Sequence, residues 1–456
     1  MGTILITNLA PIDTTARNMF AALFAACEEA GQACAFWSCI LEPSHARYAL
    51  PMHWDLGRWE ELFAPEALAP YRTETPVVDA AVWLARVERL CKQSVPHGAR
   101  RPLFETLYAV SRAVLDRIKP EMLLSWNTLC PHTGVLADLC RARGIPVRLL
   151  ERGPLPATWY FEAGGLLGHG ELTDVPLECL VADPDREALA RRGREALAAF
   201  RFDTFTLYPQ QHRTPLFEAL AATPVHGPKI AFFPPDDTSL GFTPSDHADR
   251  RTSLPGYASS FTAATALARA NADGQTLFKP HPSFRDETFP ERDPSGLIVT
   301  EEDFRRCIDW ADIVATTGSG LQLVALAAGK PVIAMGRDYM GGKGIVFEAR
   351  QEEDIEPALA AAGREGLSPG RRERFLVLLG YLLRHVFIGT NAPGDRDPRR
   401  AMRALCERLW PGAAPNDAGQ DRFAAARDGL LGDAGRKAAW LADAGRDATG
   451  AQTTTG

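Results

Sequence analysis

The sequence lacks the cysteine patterns of a disulfide scaffold or a zinc site. Its nine cysteines are odd in number and scattered, and none forms a CxxC pair or a Cys/His cluster at zinc-ligand spacing. They are typical of reduced, mostly buried thiols in a cytoplasmic protein. The first residues contain no basic segment followed by a long apolar one, so we expect a first strand there and not a signal peptide.

Excess positive charge and long apolar runs are also missing. Fifty Lys and Arg stand against 57 Asp and Glu, a formal net charge of −7 that excludes a general basic surface for nucleic acid. The longest apolar stretch near the C-terminus, residues 375–383, ends at Arg384 and is too short to span a bilayer. Any anionic ligand must therefore be held by a local site.

Several catalytic motifs are absent as well. The chain contains no GxxxxGK[ST], GxSxG, HExxH or EF-hand pattern. These absences disfavour a P-loop NTPase, an α/β-hydrolase, a zincin and a calcium site. No DxD-like metal motif stands where it would face a ligand cleft, so we expect neither a metal ion nor another cofactor.

What the sequence does contain is an ordinary globular composition and a repeated alternation of strand and helix. The 456 residues, 46% of them hydrophobic and 23% charged, suffice for two or three domains. Strands are predicted at 3–7, 120–127 and 146–150, with helices at 17–30 and 133–143. After a Pro- and Gly-containing linker at 200–228, strands are predicted at 229–233, 275–279, 312–316 and 331–335, separated by helices near 256–272, 301–310 and 319–328.

This alternation predicts an α/β protein with two Rossmann-like parallel-sheet domains that face a central cleft, the GT-B layout. The expected divisions are residues 1–225, residues 226–410 with a crossing helix over 371–388, and a low-complexity tail at 411–456. The Ala-, Gly- and Asp-rich tail is interpreted as a poorly ordered extension. The alternative is an amphipathic segment that docks through Phe423, Leu430, Leu431, Trp440 and Leu441.

Lys279 and His281 lie in the motif KPHP at the end of a predicted strand. The flanking prolines stiffen the backbone around His281, and both side chains can donate hydrogen bonds to a phosphate. The alternative is a loop histidine between turn-forming prolines.

Thr317, Ser319 and Gly320 lie in the turn TTGSG between a predicted strand and helix. Small residues there would let a ligand approach the backbone, and free N–H groups favour an anion. Ser319 is equally suited to cap the helix.

Two carboxylate motifs follow strands of the two predicted domains. Asp236 and Asp237 come directly after the strand at 229–233, and Glu151 lies in the motif LERGPLP in the first domain. Such carboxylates can act as nucleophile, base or orienter of a hydroxyl group. The alternatives are an Asx turn or helix cap for the aspartates and a surface Glu–Arg pair for Glu151.

Taken in order, four motifs resemble those of the bacterial capsule and lipopolysaccharide β-Kdo glycosyltransferases. They are LERGPLP at 150–156, DDTSL at 236–240, KPHP at 279–282 and the glycine-rich segment at 317–344. The resemblance spans about residues 120–345, and it departs from the family at Gln322, where the family tends towards a glycine.

The resemblance implies a GT-B enzyme that transfers Kdo, or a related ulosonic acid, from its CMP donor to a glycan acceptor. It makes Asp237 the catalytic carboxylate, chosen over Asp236, and Glu151 its partner across the cleft. The first domain would bind the acceptor and the second the nucleotide sugar. The expected donor-binding residues are Lys279, His281, Thr317, Ser319, Gly320, Tyr339 and Lys343.

With Asp237 as nucleophile and Glu151 assisting proton transfer, we expect a double displacement that retains configuration. The expected partners are the nucleotide-sugar donor and a glycan or glycolipid acceptor, without nucleic acid. The expected location is the cytoplasm, with peripheral contact to the inner face of the membrane and to other polysaccharide-assembly proteins left open.

Two other kinds of function remain as alternatives. One is a different GT-B enzyme, namely a sialyltransferase, a polyol-phosphate polymerase or a nucleotide-sugar epimerase. The other is a non-catalytic subunit of a polysaccharide-assembly complex.

Overall fold

Two β-sheets with surrounding helices make up the computed structural model of the chain. It describes residues 3–8, 14–38, 47–52, 58, 62–91, 98, 100–126, 131–155, 158–165, 167–199, 214–237, 251–282, 289–389 and 418–431. Within these residues the first sheet has seven strands and the second has six.

The strands, in chain order, are β1 (Thr3–Asn8), β2 (Ala33–Ser38), β3 (Ala49–Pro51), β4 (Pro120–Trp126), β5 (Val147–Arg152), β6 (Thr158–Glu162), β7 (Lys229–Phe233), β8 (Gln275–Phe278), β9 (Leu297–Val299), β10 (Ile313–Thr316), β11 (Val332–Ala334), β12 (Phe347–Glu348) and β13 (Phe387–Gly389). The α-helices are α1 (Thr14–Glu29), α2 (Pro65–Leu68), α3 (Ala80–Cys91), α4 (Arg100–Ile118), α5 (Pro131–Ala142), α6 (Leu177–Leu180), α7 (Asp183–Ala199), α8 (Pro215–Ala221), α9 (Ser260–Ala270), α10 (Phe304–Trp310), α11 (Leu321–Ala327), α12 (Ile355–Glu365), α13 (Pro369–His385) and α14 (Ala418–Leu431).

The first sheet is parallel at its centre and antiparallel at one edge. Its order is β13-β6-β5-β4-β1-β2-β3. Strands β1 to β5 pair in parallel, whereas β6 runs antiparallel to β5 and β13 antiparallel to β6. The central strand β1 has Ile4, Leu5 and Ile6 fully buried, as expected for a strand covered on both faces.

The second sheet is parallel throughout, with the order β12-β11-β10-β7-β8-β9. Its strands alternate along the chain with helices, and a capping box of Ser259 and Thr262 begins α9. The predicted fold class, two Rossmann-like α/β domains in the GT-B layout, is confirmed.

Helix α13 crosses from the second sheet back to the first. It packs along α7, and two glycines allow the close approach: a Cβ on Gly380 would overlap the carbonyl oxygen of Leu189, and one on Gly193 that of Leu376. The chain then enters β13 at the edge of the first sheet. Residues 387–389 therefore belong to the first sheet, although the sequence assigned 226–410 to the second domain.

The helix α14 covers the core of the first domain. Phe423, Leu430 and Leu431 are buried in that core, and the Leu430 carbonyl accepts a hydrogen bond from Ala64 N at 2.9 Å. The expectation of a poorly ordered extension is thus wrong for residues 418–431, because these apolar side chains pack onto the chain's own first domain. Trp440 and Leu441 lie outside the described residues.

Part of the predicted linker is helical. Residues 215–221 form α8, and Phe217 and Leu220 are buried in the core beside the second sheet. Residues 200–213 lie outside the described part of the chain. Across the described residues, no helix has the length and apolar character needed to cross a membrane.

A polar joint links the segment after β6 to the second domain. Asp174 accepts hydrogen bonds from Arg337 Nε at 2.9 Å and from Arg350, and Gly168 N donates to Ser253 Oγ at 3.2 Å. Burial alone would raise the pKa of Asp174, but its bonds to Arg350 and Arg337 hold it below the usual value. The predicted domain boundaries themselves stay a prediction.

Candidate functional site

Three adjacent strands carry the sequence-predicted residues of the second domain. Strand β7 lies between β10 and β8, with Phe233 opposite Thr316 and Phe232 opposite Phe278. Neighbouring strands lie about 4.8 Å apart. The segments that follow them, 316–320, 234–237 and 279–282, therefore emerge side by side at the carboxyl edge of the sheet.

Asp237 is anchored to the start of α9. Its side chain is 3% exposed, and its two carboxylate oxygens accept from Ser260 N at 2.7 Å and Ser260 Oγ at 2.5 Å. Ser260 Oγ lies 2.5 Å from Thr317 Oγ1, so one hydroxyl joins the segments after β7 and β10. These contacts are those of a structural anchor, and the catalytic role of Asp237 stays a prediction.

Asp236, in contrast, is half-buried and lies near His281. Burial lowers the pKa of His281, the Asp236 charge opposes this shift, and the Lys279 charge adds to it. The imidazole is therefore neutral at neutral pH. The two side chains thus lie at the ends of the neighbouring strands β7 and β8, close enough for their charges to interact.

Lys279 points towards the start of α10. Its ammonium is 3.5 Å from the Glu301 carbonyl oxygen, and the nearby charges of Glu302 and Asp303 favour its protonated form. Burial nonetheless lowers the pKa of Lys279 below its usual value. Whether Lys279 and His281 hold the same phosphate stays a prediction.

In the turn before α11, two backbone N–H groups donate to a side chain of the same turn. Thr316 Oγ1 accepts from Gly318 N at 3.0 Å and from Ser319 N at 2.7 Å, while Ser319 Oγ accepts from Leu321 N at 3.4 Å. Two amides expected to bind an anion are therefore occupied, and the N-cap of α11 is Gly320 and not Ser319. Gly318 has φ of 122°, which favours glycine.

Glu151 faces the second domain from β5. It lies opposite Tyr160 of β6 and on the same face as Leu149, and both of these neighbours are buried in the core that also contains second-sheet residues. Beyond the strand, Pro154 meets the turn before α11, because a Cβ on Gly320 would lie 3.1 Å from the Pro154 Cβ. The end of β5 and the start of α11 are thus in contact.

Tyr339 and Lys343 lie at the same boundary. The Tyr339 ring is 6.0 Å from that of Tyr160, and Lys343 Nζ donates to the carbonyls of Leu172 at 2.7 Å and Gly341 at 3.0 Å. Burial lowers the pKa of Lys343 to about 8. The ammonium therefore ties the second-domain loop to the segment after β6.

Sequence reasoning missed Tyr160 and Glu162. Tyr160 donates to the Glu162 carboxylate, which also accepts from Leu172 N at 3.0 Å, and burial raises the pKa of Glu162. The period-2 spacing of Thr158, Tyr160 and Glu162 could have placed them on one face of a strand.

A buried amide and a carboxylate were also missed. Gln322 Nε2 donates to Asp338 Oδ2 at 2.5 Å, and Met340 N donates to Asp338 Oδ1 at 2.8 Å. Both residues lie in the glycine-rich segment at 317–344, but sequence reasoning assigned Asp338 no role and marked Gln322 only as a departure from the family.

No group of three or more His, Cys, Asp or Glu side chains that could hold a metal ion occurs among the described residues. The arrangement instead offers carboxylates, one neutral imidazole and hydroxyl groups on both sides of a domain boundary. Such groups can hold an anionic leaving group and move a proton to or from a hydroxyl.

Comparison with known proteins gives likenesses of fold only. No family model matches the chain, and no curated protein matches it. Among solved structures, the chain is similar to Thermosulfurimonas dismutans KpsC, β-Kdo 2,7 transferase, at 17% identity and a TM-score of 0.38, over 66% of this chain and 89% of that one. The β-Kdo 2,4 transferase of the same KpsC matches at 16% identity and a TM-score of 0.36, over 57% and 79%.

A putative UDP-N-acetylglucosamine 2-epimerase from Listeria monocytogenes is also similar, at 11% identity and a TM-score of 0.33, over 91% of this chain and 98% of that one. Likenesses at these identities and TM-scores assign no activity to the chain.

Proposed function

We propose that the chain is a glycosyltransferase that moves Kdo, or a related ulosonic acid, from its CMP donor to a glycan acceptor in capsule or lipopolysaccharide synthesis. One observation supports this most: the end of β5, which carries Glu151, touches the start of α11, while Asp236 and His281 emerge from the neighbouring strands. Glu151 of the first domain thereby lies at a boundary with the second domain, which carries Asp236 and the residues proposed to bind the phosphate.

In this proposal the donor phosphate is held by second-domain side chains. His281 donates its imidazole N–H, Ser319 its hydroxyl, and Lys279 adds positive charge from the side of α10. Thr317 and Gly320 shape the turn, and Tyr339 and Lys343 form the wall at the domain boundary. Neither a metal ion nor another cofactor has a part in the proposal.

The reaction is a double displacement with retained configuration. The bond from the anomeric carbon to the CMP phosphate breaks with its electron pair on the phosphate, and a protein carboxylate forms an ester with that carbon. The acceptor hydroxyl then attacks the carbon, the ester bond breaks back to the carboxylate, and Glu151 takes the hydroxyl proton. An oxocarbenium-like transition state gains from both nearby carboxylates.

Asp236 is the better candidate for the reacting carboxylate. Each oxygen of Asp237 accepts a bond from Ser260, which stabilises the charge and makes the carboxylate a weaker nucleophile. Asp236 is half-buried and near the imidazole proposed to hold the leaving phosphate. Asp237 would then position this segment, and the choice between the two reverses the one implied by the family pattern.

The acceptor is proposed to be a glycan or glycolipid bound by the first domain. The proposed location is the cytoplasm, at the inner face of the membrane when the acceptor is a lipid. Other proteins of polysaccharide assembly would be its partners there.

The test is a transfer assay with purified protein, CTP, a Kdo-activating enzyme and synthetic glycan acceptors, read by mass spectrometry. Asp236→Asn is expected to abolish transfer without changing the melting temperature. Asp237→Asn is expected to lower the melting temperature along with the rate. The matched control is Asp309→Asn, an exposed carboxylate of the second domain, which should leave both unchanged.

Full transfer by Asp236→Asn with complete loss in a stably folded Asp237→Asn would return the nucleophile to Asp237. Thermal stabilisation by a nucleotide panel tests the donor class, because CMP and CTP should stabilise the protein more than UDP or ADP. Preference for UDP would favour an epimerase or another GT-B transferase, and no response to any nucleotide would favour a non-catalytic subunit.

A further inference from the structure

The side chain of Gln322 is buried with one half of its amide unused. It is 1% exposed, its Nε2 donates to Asp338 Oδ2 at 2.5 Å, and its Oε1 has no hydrogen-bond partner among the described residues. Buried carbonyl groups without a partner are rare and cost free energy. Such an atom is expected to meet a water molecule or a ligand group.

The direction of the Gln322 amide follows from the chemistry of Asp338. Asp338 accepts a second bond from Met340 N at 2.8 Å, so its two oxygens both face N–H donors. A carboxylate that only accepts must face the NH2 end of the amide, and the carbonyl end is therefore turned away from it. Exchange of the amide atoms would place two acceptors against each other.

A second unpartnered polar atom lies in the neighbouring residue. The Tyr339 hydroxyl is buried without a partner among the described residues, and the Asp338 charge acts on it. Tyr339 also packs near Tyr160, the residue opposite Glu151. Tyr339 thus lies at the boundary where the first domain meets the proposed donor site, and it directly follows Asp338, the partner of Gln322.

Gln322 lies close to the proposed phosphate site. It follows Ser319 by three residues, and the Asp338 oxygen that it contacts lies 3.7 Å from where a Cβ on Gly318 would be. A carbonyl oxygen repels an anion, so Gln322 cannot serve the phosphate or a carboxylate. It suits a neutral group that donates a hydrogen bond.

We propose that Gln322 is a specificity-determining residue of the donor site, with its side-chain carbonyl accepting a hydrogen bond from a hydroxyl group of the bound donor and Tyr339 supporting the same contact. The inference rests on the proposed function, because it assumes a nucleotide sugar at this boundary. The hydroxyl belongs either to the ribose or to the transferred sugar, which the experiment separates.

The experiment compares Gln322→Met and Tyr339→Phe with wild type by calorimetry with CMP and 2′-deoxy-CMP, and by kinetics with the CMP-linked donor. Methionine keeps the length of glutamine but has no carbonyl. Tyr339→Phe removes only an unpartnered hydroxyl, so its fold is expected to persist. The matched control is Gln275→Met, whose amide oxygen is also buried without a partner among the described residues but lies at the amino end of β8.

If Gln322 accepts its hydrogen bond from a ribose hydroxyl, wild type prefers CMP to 2′-deoxy-CMP by about tenfold, and both variants lose that preference. If Gln322 instead accepts the bond from a hydroxyl of the transferred sugar, both variants bind CMP as wild type does. Their KM for the CMP-linked donor then rises about tenfold at constant kcat. Unchanged binding and kinetics in both variants, as in the Gln275→Met control, would overturn the inference and leave a water molecule at Gln322.

Failure of the proposed function has a different signature. Wild type would then bind no cytidine nucleotide but another member of the panel. The same variants are then tested with that nucleotide and its 2′-deoxy analogue, and unchanged discrimination there overturns the inference on its own.

Discussion

His281 is buried, and it is also expected to bind the donor phosphate. Burial lowers its pKa in the free protein, so the imidazole is neutral at neutral pH. A phosphate bound beside it favours the charged form and raises that pKa. Binding therefore takes up a proton, and the affinity for CMP should increase as the pH falls from about 8 to 6.5, by at most about tenfold per pH unit.

Calorimetry in two buffers of different ionisation enthalpy measures this proton uptake directly. His281→Gln keeps a side chain that donates N–H but cannot titrate, so its CMP affinity should rise less than that of wild type as the pH falls over the same range, while Lys343 and the CMP phosphate titrate in both proteins. Equal pH dependence in wild type and His281→Gln would show that the imidazole does not contact the phosphate.

Gly318 holds a backbone conformation that residues other than glycine rarely adopt. Its φ of 122° suits only glycine, and a Cβ there would lie 2.7 Å from Leu167 Cδ2. Gly318→Ala is expected to destabilise the protein by about 1–3 kcal/mol, measured by urea unfolding. The matched control is Gly363→Ala in α12, which meets nothing within 4 Å and should stabilise by about 0.5–1 kcal/mol.

At this scale the sequence predicted where the segments lie better than which of their atoms are engaged. KPHP, DDTSL and TTGSG predicted neighbouring strand ends, because the carboxyl ends of parallel strands share an edge. The pattern could not reveal that Ser260 occupies both oxygens of Asp237, or that Thr316 occupies the Gly318 and Ser319 amides. Such bonds depend on residues brought together only by the fold.

Among the elements, α14 shows how little composition says about packing. Phe423 is 1% exposed and is buried against the first core, which also contains residues of β1 and β2. Phe423→Ala is expected to destabilise by about 3–5 kcal/mol, measured by thermal and urea unfolding. Ala425→Ser on the exposed side of the same helix is the control, with an expected change within about 0.5 kcal/mol. Equal effects of the two substitutions would contradict the packing of α14.

The sequence predicted the central strands and missed the peripheral ones. Strands β1, β7 and β10 are β-branched or aromatic runs between turn signals, and their predicted limits differ from the observed ones by one residue at most. Strands β6 and β13 were missed because each is short, and β13 gains its place from an antiparallel partner distant in sequence. The buried face of α14 was missed because Ala, Gly and Asp dilute its three apolar side chains.

At the scale of the whole molecule, Asp174 links the two domains, because it accepts hydrogen bonds from Arg337 and Arg350. Asn tolerates the φ of 59° at this position, so Asp174→Asn removes the charge and leaves the backbone as it is. Arg337 then loses its carboxylate partner and Arg350 is left with Glu348, and we expect a loss of about 1–3 kcal/mol at neutral pH. Calorimetric unfolding measures this loss.

The pH dependence of that difference has a defined sign. The pKa of Asp174 is lowered in the folded protein, so its stabilisation is present above the usual carboxyl pKa of about 4 and is lost as the pH falls through the folded value. The gap between wild type and Asp174→Asn should therefore close in acid. Glu105→Gln, which removes an exposed pair with Arg101, is the control and should cost less than about 0.5 kcal/mol.

Because the chain returns to its first sheet, the first domain is completed only after the second sheet has been synthesised. Every strand of the second sheet lies between Lys229 and Glu348, so that sheet is complete on the ribosome before β13 and α14 exist. At about 5–20 residues per second, the interval from Glu162 to Leu431 lasts roughly ten seconds to one minute. During that interval the nascent first domain lacks the helix that covers its core, and until residue 389 is made it also lacks its edge strand, although it was made first.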